Sequence, residues 1–498
     1  MSLSTTEIKR FIDDDRMSEK KRFAAVGQRY YEADHDIMKC RLFYYNADGN
    51  LEEDKTRSNI KISHPFFTEL VDQTASYLLS SKENPIQAKD NSQGLQDYLD
   101  AYFDDEFWAE VFDLIVGANS KGFEYVYAYK NAENRLAFQC ADSMGVVEVR
   151  EKDTDDGCKY IIYWYADRIE KGRKVIKRIQ VWSENDVTYY VQAGDTGKIV
   201  LDKSVQVNPR PHVVYTDPVS GGKMGYGLGF IPFWRLDNNR KQFSGLKPIK
   251  GLIDDYDLMM CGLSNNVVDF DQPLHVVSGF QGDNLDELQQ NLKTKKIVGV
   301  DDNGGVSVQT VDIPYQARQA KASEDEKNIY RFGMGFNSSQ VGDGNVTNVV
   351  IRSRYTLLDL KANKLEKRLK QLLKQLVKVV LAEINKEHDK DFQLSDIRFD
   401  FTRDIMTNET ENIQNELLKA QIEQTKINSI LNVAAQIGDD EALKAICDVL
   451  DLDYKEIKNS IEPVDDPESD ISGAMRMLEG VMTDEQQAET GSTAISEQ

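Results

Sequence analysis

Two motifs, Leu252-Ile253-Asp254-Asp255-Tyr256-Asp257 and Leu357-Leu358-Asp359-Leu360-Lys361-Ala362-Asn363, frame the stretch Ile231 to Asn385, whose reading decides the fold. The stretch opens with Ile231-Pro232-Phe233 and Asn238-Asn239, then reads as an outgoing helix over Leu246 to Phe270. An insert from about Gln272 to Ile313 follows. Within it Leu274 to Val277 and Lys296 to Val300 read as short strands and Asn284 to Leu292 as a helix. Asp301-Asp302-Asn303-Gly304-Gly305 reads as a hairpin turn before Val306 to Val308, because Gly and Asn supply the positive φ that tight turns need. Tyr315 to Phe332 is a return helix, Phe336 to Thr347 a polar loop rich in Gly, Asn and Ser, and Asn348 to Asn385 one long helix. At about 1.5 Å per residue that helix extends about 57 Å. Leu358, Leu365, Leu369, Leu372, Leu376 and Val380 form its apolar stripe. Two helices running out and back, with a polar loop at their inner end, suit a channel wall better than a small-molecule active site.

Upstream, residues 1 to about 60 read as helical and polar. His64 to Leu79 is a stronger helix, with Phe67, Leu70, Val71 and Leu78 on one stripe, and Asp97 to Ser120 is another. The period then changes to two. Phe123 to Tyr129 alternates as a strand, and Val146 to Arg150, Tyr160 to Tyr165, Val175 to Val181, Thr188 to Gln192 and Ile199 to Leu201 follow as an antiparallel meander. Asn208-Pro209-Arg210-Pro211-His212 should close it, since proline donates no ladder hydrogen bond. Gly221 to Gly229 reads as a connector. Phe399 to Thr402 is a short strand, and Thr410 to Ser460 is helical in three pieces, with breaks near Lys426 and Gly438-Asp439-Asp440. Glu462 to Gln498 carries ten acids against Arg476 and is expected to be disordered, apart from a weak amphipathic helix over Ile471 to Met482. The fold class is therefore α+β and predominantly helical, and 498 residues are enough for two to four subdomains.

Composition narrows the function. A net charge of -23 is unlike a protein that grips DNA by a basic face. Five dispersed cysteines without a CxxC pair support neither a zinc site nor a disulfide framework. No apolar run reaches the roughly 20 residues of a membrane span. Gly222-Lys223 and Gly197-Lys198 lack the frame of a phosphate-binding loop, and Gly225-Tyr226-Gly227-Leu228-Gly229 is no dinucleotide fingerprint. His388-Asp389 has no second histidine at helical spacing. No catalytic residue, metal or cofactor is expected.

Charge is anomalous only on the long helix. Arg352, Arg354, Lys361, Lys364, Lys367, Arg368, Lys370, Lys374 and Lys378 stand against Asp359 and Glu366. Such a face can be plainly solvated, can pair with acidic surfaces of neighbouring copies, or can meet phosphates. Pairing between copies is the favoured reading of this face, because the rest of the chain supplies acid, and Arg352, Arg354, Lys361, Lys364, Lys367 and Arg368 are its candidates for contact with a neighbouring copy or with DNA. In the polar loop, Asn337, Ser338, Ser339, Gln340, Asn345 and Thr347 could hydrogen-bond a polyanion weakly and reversibly.

Five motifs in order, Asn208 to His212, Ile231-Pro232-Phe233 with Asn238-Asn239, Leu252 to Asp257, Leu357 to Asn363, and Phe401-Thr402-Arg403, give the chain a resemblance to the portal proteins of tailed bacteriophages of the long-tailed siphophage type. It runs from about His64 to Arg403. The resemblance implies a dodecameric ring at one capsid vertex. Residues 1–235 would be wing, 236–271 the outgoing stem helix, 272–314 a small α/β clip and 315–335 the return stem helix. Residues 336–347 would be the tunnel loop, 348–407 the long helix with a wing strand, 408–461 a helical crown and 462–498 the acidic tail. It implies double-stranded DNA in the channel as a partner, with the terminase large subunit, the head-tail adaptor, and the major capsid and scaffolding proteins. Asp283, Asn284, Lys293, Lys295 and Lys296 would carry docking on the clip. The implied location is the virion, reached through assembly in the host cytoplasm. Unlike a glycine run, the tunnel loop here has isolated glycines. A helical scaffold or adaptor binding only proteins is the alternative reading, and a nucleotide-driven enzyme comes third.

Overall fold

The computed structural model describes residues 3–460 except 56, 82, 90–93, 132–134, 152–156, 171–173, 217–221, 271–273, 281–283, 285–299, 310–314, 338–347, 404–408, 451 and 453. The expected tail, the expected helix Asn284 to Leu292 apart from Asn284, and nearly all of the strand Lys296 to Val300 lie outside the described residues. The chain divides into two compact units, Met1–Gly344 with Arg352–Ile405, and Asn345–Ile351 with Met406–Gln498.

Helix α1 (Thr5–Met17) starts at a reciprocal cap, in which Ser4 Oγ accepts from the Glu7 amide and the Glu7 carboxylate accepts from the Ser4 amide. Ser18 ends α1 and caps α2 (Glu19–Tyr31). The expectation of helix to residue 60 fails here. Strands β1 (Phe43–Tyr45) and β2 (Leu51–Glu53) form a hairpin, whose turn is closed by Asn46 Oδ1 accepting from the amides of Asp48 and Asn50. Helix α3 (Phe66–Leu78), strand β3 (Ile86–Ala88), and helices α4 (Leu95–Tyr102) and α5 (Asp105–Lys121) follow. Gly122, at φ 101°, ends α5 and turns the chain into β4 (Phe123–Lys130).

The expected single meander is two sheets. Strands β6 (Val146–Val149), β7 (Tyr160–Glu170), β8 (Lys174–Trp182), β9 (Asp186–Ala193) and β10 (Ile199–Leu201) are sequential antiparallel neighbours. Strand β4 pairs instead with β5 (Leu136–Ala141), which the sequence reading passed over, and with β14 (Phe233–Asp237), which returns from about a hundred residues downstream. Nor does the double-proline segment end pairing. Arg210–Pro211 forms β11 at the edge of β9, where a missing amide is tolerated. The glycine-rich connector likewise contains β13 (Lys223–Tyr226), paired with β12 (Val213–Thr216).

Helix α6 (Lys250–Phe270) begins four residues later than expected, since Leu246 and Ile249 lie in preceding turns as core residues. Strands β15 (Leu274–Phe280) and β16 (Val300–Gln309) are antiparallel. The Asp301 to Gly305 stretch is no hairpin turn. It is a bulge inside β16, because Phe280 pairs with Val300 while Ser278 pairs with Gly305. Helices α7 (Tyr315–Gly333) and α8 (Asn348–His388) come next, and α8, at 41 residues, is about 61 Å long. The short strand lies slightly earlier than expected, as β17 (Ile397–Phe399) on β3.

All six expected stripe residues of α8 are buried, with Ala362, Leu373, Val377, Leu381 and Ile384 beside them. They share one core with α3, α4, α5, β4 and β5. A second core joins Tyr30, Phe67, Leu70, Val71, Ile253 and Ile329, and so fastens the first turns of α6 and the end of α7 to α2 and α3.

In the second unit, α9 (Glu409–Ile437), α10 (Asp439–Leu450) and α11 (Tyr454–Ser460) make three helices. The first expected break is absent, as α9 runs through Lys426. The second occurs at Gly438, at φ 88°. Among the described residues no helix is long and apolar enough to cross a membrane.

Candidate functional site

The motif in α6 is a set of fasteners. Ile253 is fully buried. Asp254 accepts from Tyr30 and from Lys250 Nζ at 2.7 Å, and Lys250 reaches Asp36 at 2.7 Å. Asp255 pairs with Lys321 of α7. Tyr256 stands edge-on to Phe66 and His64. Asp257, fully buried, has His35 Nδ1 at 2.6 Å on one oxygen and His64 Nδ1 at 2.7 Å on the other. Burial alone would raise its pKa, but the hydrogen bonds from His35 and His64 hold the carboxyl below its usual range.

At the inner end of α7 the root of the polar loop is built with equal care. Met334 takes φ 57°. A Cβ on Gly335 would stand 2.0 Å from Leu70 Cδ2, so any side chain there would have to displace that buried leucine of α3. The Phe336 amide donates to Gln73 Oε1 at 3.0 Å, Gln73 Nε2 donates back to the Phe336 carbonyl at 2.8 Å, and the Phe336 ring stacks on Tyr355 of α8 at 4.6 Å. Asn337 Nδ2 donates to Glu326 at 3.0 Å. Asn337, Arg354, Lys327 and Arg331 line one cleft of about 220 Å³ at this root. Of the loop residues expected to touch DNA, only Asn337 is described. Ser338, Ser339, Gln340, Asn345 and Thr347 lie outside the described residues.

The six basic residues on α8 do not share one environment. Arg352, Lys364 and Lys367 are exposed, while Arg354, Lys361 and Arg368 are half-buried. Lys361 turns inward, its Nζ donating to the Leu70 carbonyl at 3.4 Å, and burial pushes its amine down to about 8. Both acids of this face are engaged by Arg403, which bridges Asp359 and Glu366, donates to Asn363 Oδ1 at 3.0 Å and covers the ring of Tyr77. Residues 359, 363 and 366 lie on one helix face, so Phe401-Thr402-Arg403 and the α8 motif are halves of one constellation. With the acids so held, Arg352, Lys364, Lys367, Lys374 and Lys378 meet no acidic partner among the described residues.

Of the expected docking residues on the insert, Asn284 is described and exposed. Asp283, Lys293, Lys295 and Lys296 lie outside the described residues. Among the described residues no group of His, Cys, Asp and Glu is arranged to hold a metal ion.

Helix out, strand pair, helix back and long helix therefore follow one another in α6, β15, β16, α7 and α8, with the motif at 252–257 fastening α6 and those at 357–363 and 401–403 joined on α8. The chain belongs to the phage portal protein family described as SPP1 Gp6-like, whose profile matches residues 10–448. It is similar to the portal protein of Bacillus phage SPP1, 26% identical over 413 residues that cover 82% of this chain and 79% of that protein. The portal protein of Clostridium phage phiCD119 is 25% identical over 410 residues, covering 77% of this chain and 83% of that protein.

Proposed function

We propose that this chain is a portal subunit. Copies of it form a ring at one capsid vertex, the ring passes double-stranded DNA during packaging and ejection, and its outer end docks the terminase and later the head-tail adaptor. The observation that carries this reading is the family match across residues 10–448, which takes in the whole helix-out, helix-back stretch. Helices α6 and α7 are the stem, β15 and β16 belong to the clip, residues 336–347 are the tunnel loop, α8 crosses the wing, and α9 to α11 are the crown. The ring is dodecameric and part of the virion, assembled in the host cytoplasm with the major capsid and scaffolding proteins. A closed ring needs two different surfaces that fit head to tail. The exposed bases of α8 and the acidic remainder of the chain supply that contrast. An acidic lumen repels the DNA backbone and lets a duplex slide, while the loop residues touch it transiently. ATP hydrolysis belongs to the terminase.

Removing Ser338 to Asn345 tests the role of the loop. The anchors at Phe336 and Tyr355 stay in place, so rings should form normally while the yield of DNA-filled capsids falls. Normal packaging by that variant would exclude the loop from contact with moving DNA.

A further inference from the structure

Between the β1–β2 hairpin and α3 the chain runs extended along α6, antiparallel to it. Alternate amides of this segment donate to α6 side chains one turn apart. Ser58 N reaches Asp269 Oδ1 at 3.1 Å, Ile60 N reaches Asn265 Oδ1 at 2.6 Å, Ile62 N reaches Cys261 Sγ at 3.2 Å and His64 N reaches Asp257 Oδ1 at 3.0 Å. The thiol of Cys261 also donates back to the Ile62 carbonyl at 3.4 Å. The match is metrical. Two residues of extended chain advance about 6.6 Å and four residues of helix about 6 Å, so the two ladders stay in phase for three helical turns.

The rungs differ in burial. Asp257 and Cys261 are buried, Asn265 is half-buried and Asp269 is exposed. Helix α6 changes along the same direction. Its first turns sit in the core with Tyr30, Phe67 and Ile329, whereas no described residue after Cys261 is buried, and Val267 and Val268 are about half exposed. From α7, Lys321 pairs with Asp255 and Arg318 donates to the Met259 carbonyl at 3.4 Å, so these contacts too fall at or before Cys261.

We propose that residues 58–64 form a strap that tethers the outer part of α6, residues 262–269, and unzips from its Ser58 end. The His35–Asp257–His64 cluster is the fixed stop, and the Asp257–Cys261 turn is the pivot about which the outer part tilts. Exposed rungs open at lower free energy than buried ones, which sets the order of opening. The strap stands on these contacts alone and does not depend on the portal assignment.

Residue-resolved hydrogen–deuterium exchange on the purified full-length protein tests it. In the native chain, protection should rise from Ser58 to His64. The double substitution Asn265→Ala with Asp269→Ala removes the two outer rungs. It should speed exchange at Ser58, at Ile60 and over 262–269 roughly tenfold, the effect of about one to two lost hydrogen bonds. Exchange at Ile62, at His64 and over 250–257 should stay unchanged. Asp257→Asn should instead loosen the His64 end. Unchanged exchange in the double variant, or loss of protection spread evenly over all of α6, would overturn the strap.

Discussion

Arg403 shows what single residues do in this chain. It engages Asp359 and Glu366, the two acids among the bases from Arg352 to Lys378, from a segment that follows α8, so that the outward charge of that stretch is almost wholly basic. Lys361 is the exception on that helix, and its inward position has a measurable signature. Its folded pKa of about 8 lies below the unfolded value of about 10.4. Between those values the unfolded chain holds a proton that the folded chain has released, so this group adds stability as pH rises through that window. The difference in unfolding free energy between the native chain and Lys361→Met should therefore be flat below about pH 7 and climb toward pH 10. A flat difference throughout would show that Lys361 is solvated. Spacing placed Lys361 among the surface bases because, three residues after Leu358 and four before Leu365, it sits at the edge of the apolar stripe. Sequence could not decide on which side of that edge the amine falls. It also gave no sign that Lys21 is buried, where it donates to the Val146 carbonyl at 2.8 Å from a helix that reads as polar.

At the scale of elements, the parts read best were those whose signal is local and long. Helix α8 kept its register of buried leucines, and α3, α7 and strands β6 to β10 fall where periodicity put them. Parts set by distant pairing were missed. Strand β14 leaves the proline-bounded stretch to join β4, and the Asp301 to Gly305 turn chemistry is used for a bulge because β15 continues alongside it. Helix crossings follow the same rule. A Cβ on Gly27 of α2 would lie 2.0 Å from the Ser120 carbonyl of α5, so the two backbones touch there. Gly27→Ala should destabilise the fold by about 1–3 kcal/mol despite alanine's better helix propensity. Gly251 in α6 meets nothing within 4 Å, and Gly251→Ala should stabilise by up to about 1 kcal/mol. Chemical denaturation of both variants checks the pair, and equal effects would contradict the close α2–α5 crossing.

For the whole molecule, a number of large apolar side chains are left exposed. Ile413, Leu417, Leu418 and Ile422 of α9, Leu258, Val267 and Val268 of α6, and Phe43, Tyr45 and Leu51 of the first hairpin are all exposed. Where such side chains adjoin one another, a neighbouring copy would cover them. A ring brings a neighbour to both sides of every subunit, and under the proposed function the charge contrast between α8 and the acidic remainder would orient the contact. The helix-out, helix-back plan was legible because it is written in long amphipathic helices. The contacts that would make a ring were not, since they join one copy to another and are not written in the periodicity of a single chain.

The most direct test of the portal assignment is electron microscopy of the purified full-length protein with native mass spectrometry, alone and co-expressed with capsid and scaffolding proteins. Closed rings of uniform subunit number around an axial hole wide enough for duplex DNA are the expected result. Monomers or dimers under both conditions, or closed rings whose hole cannot admit a duplex, would contradict the assignment.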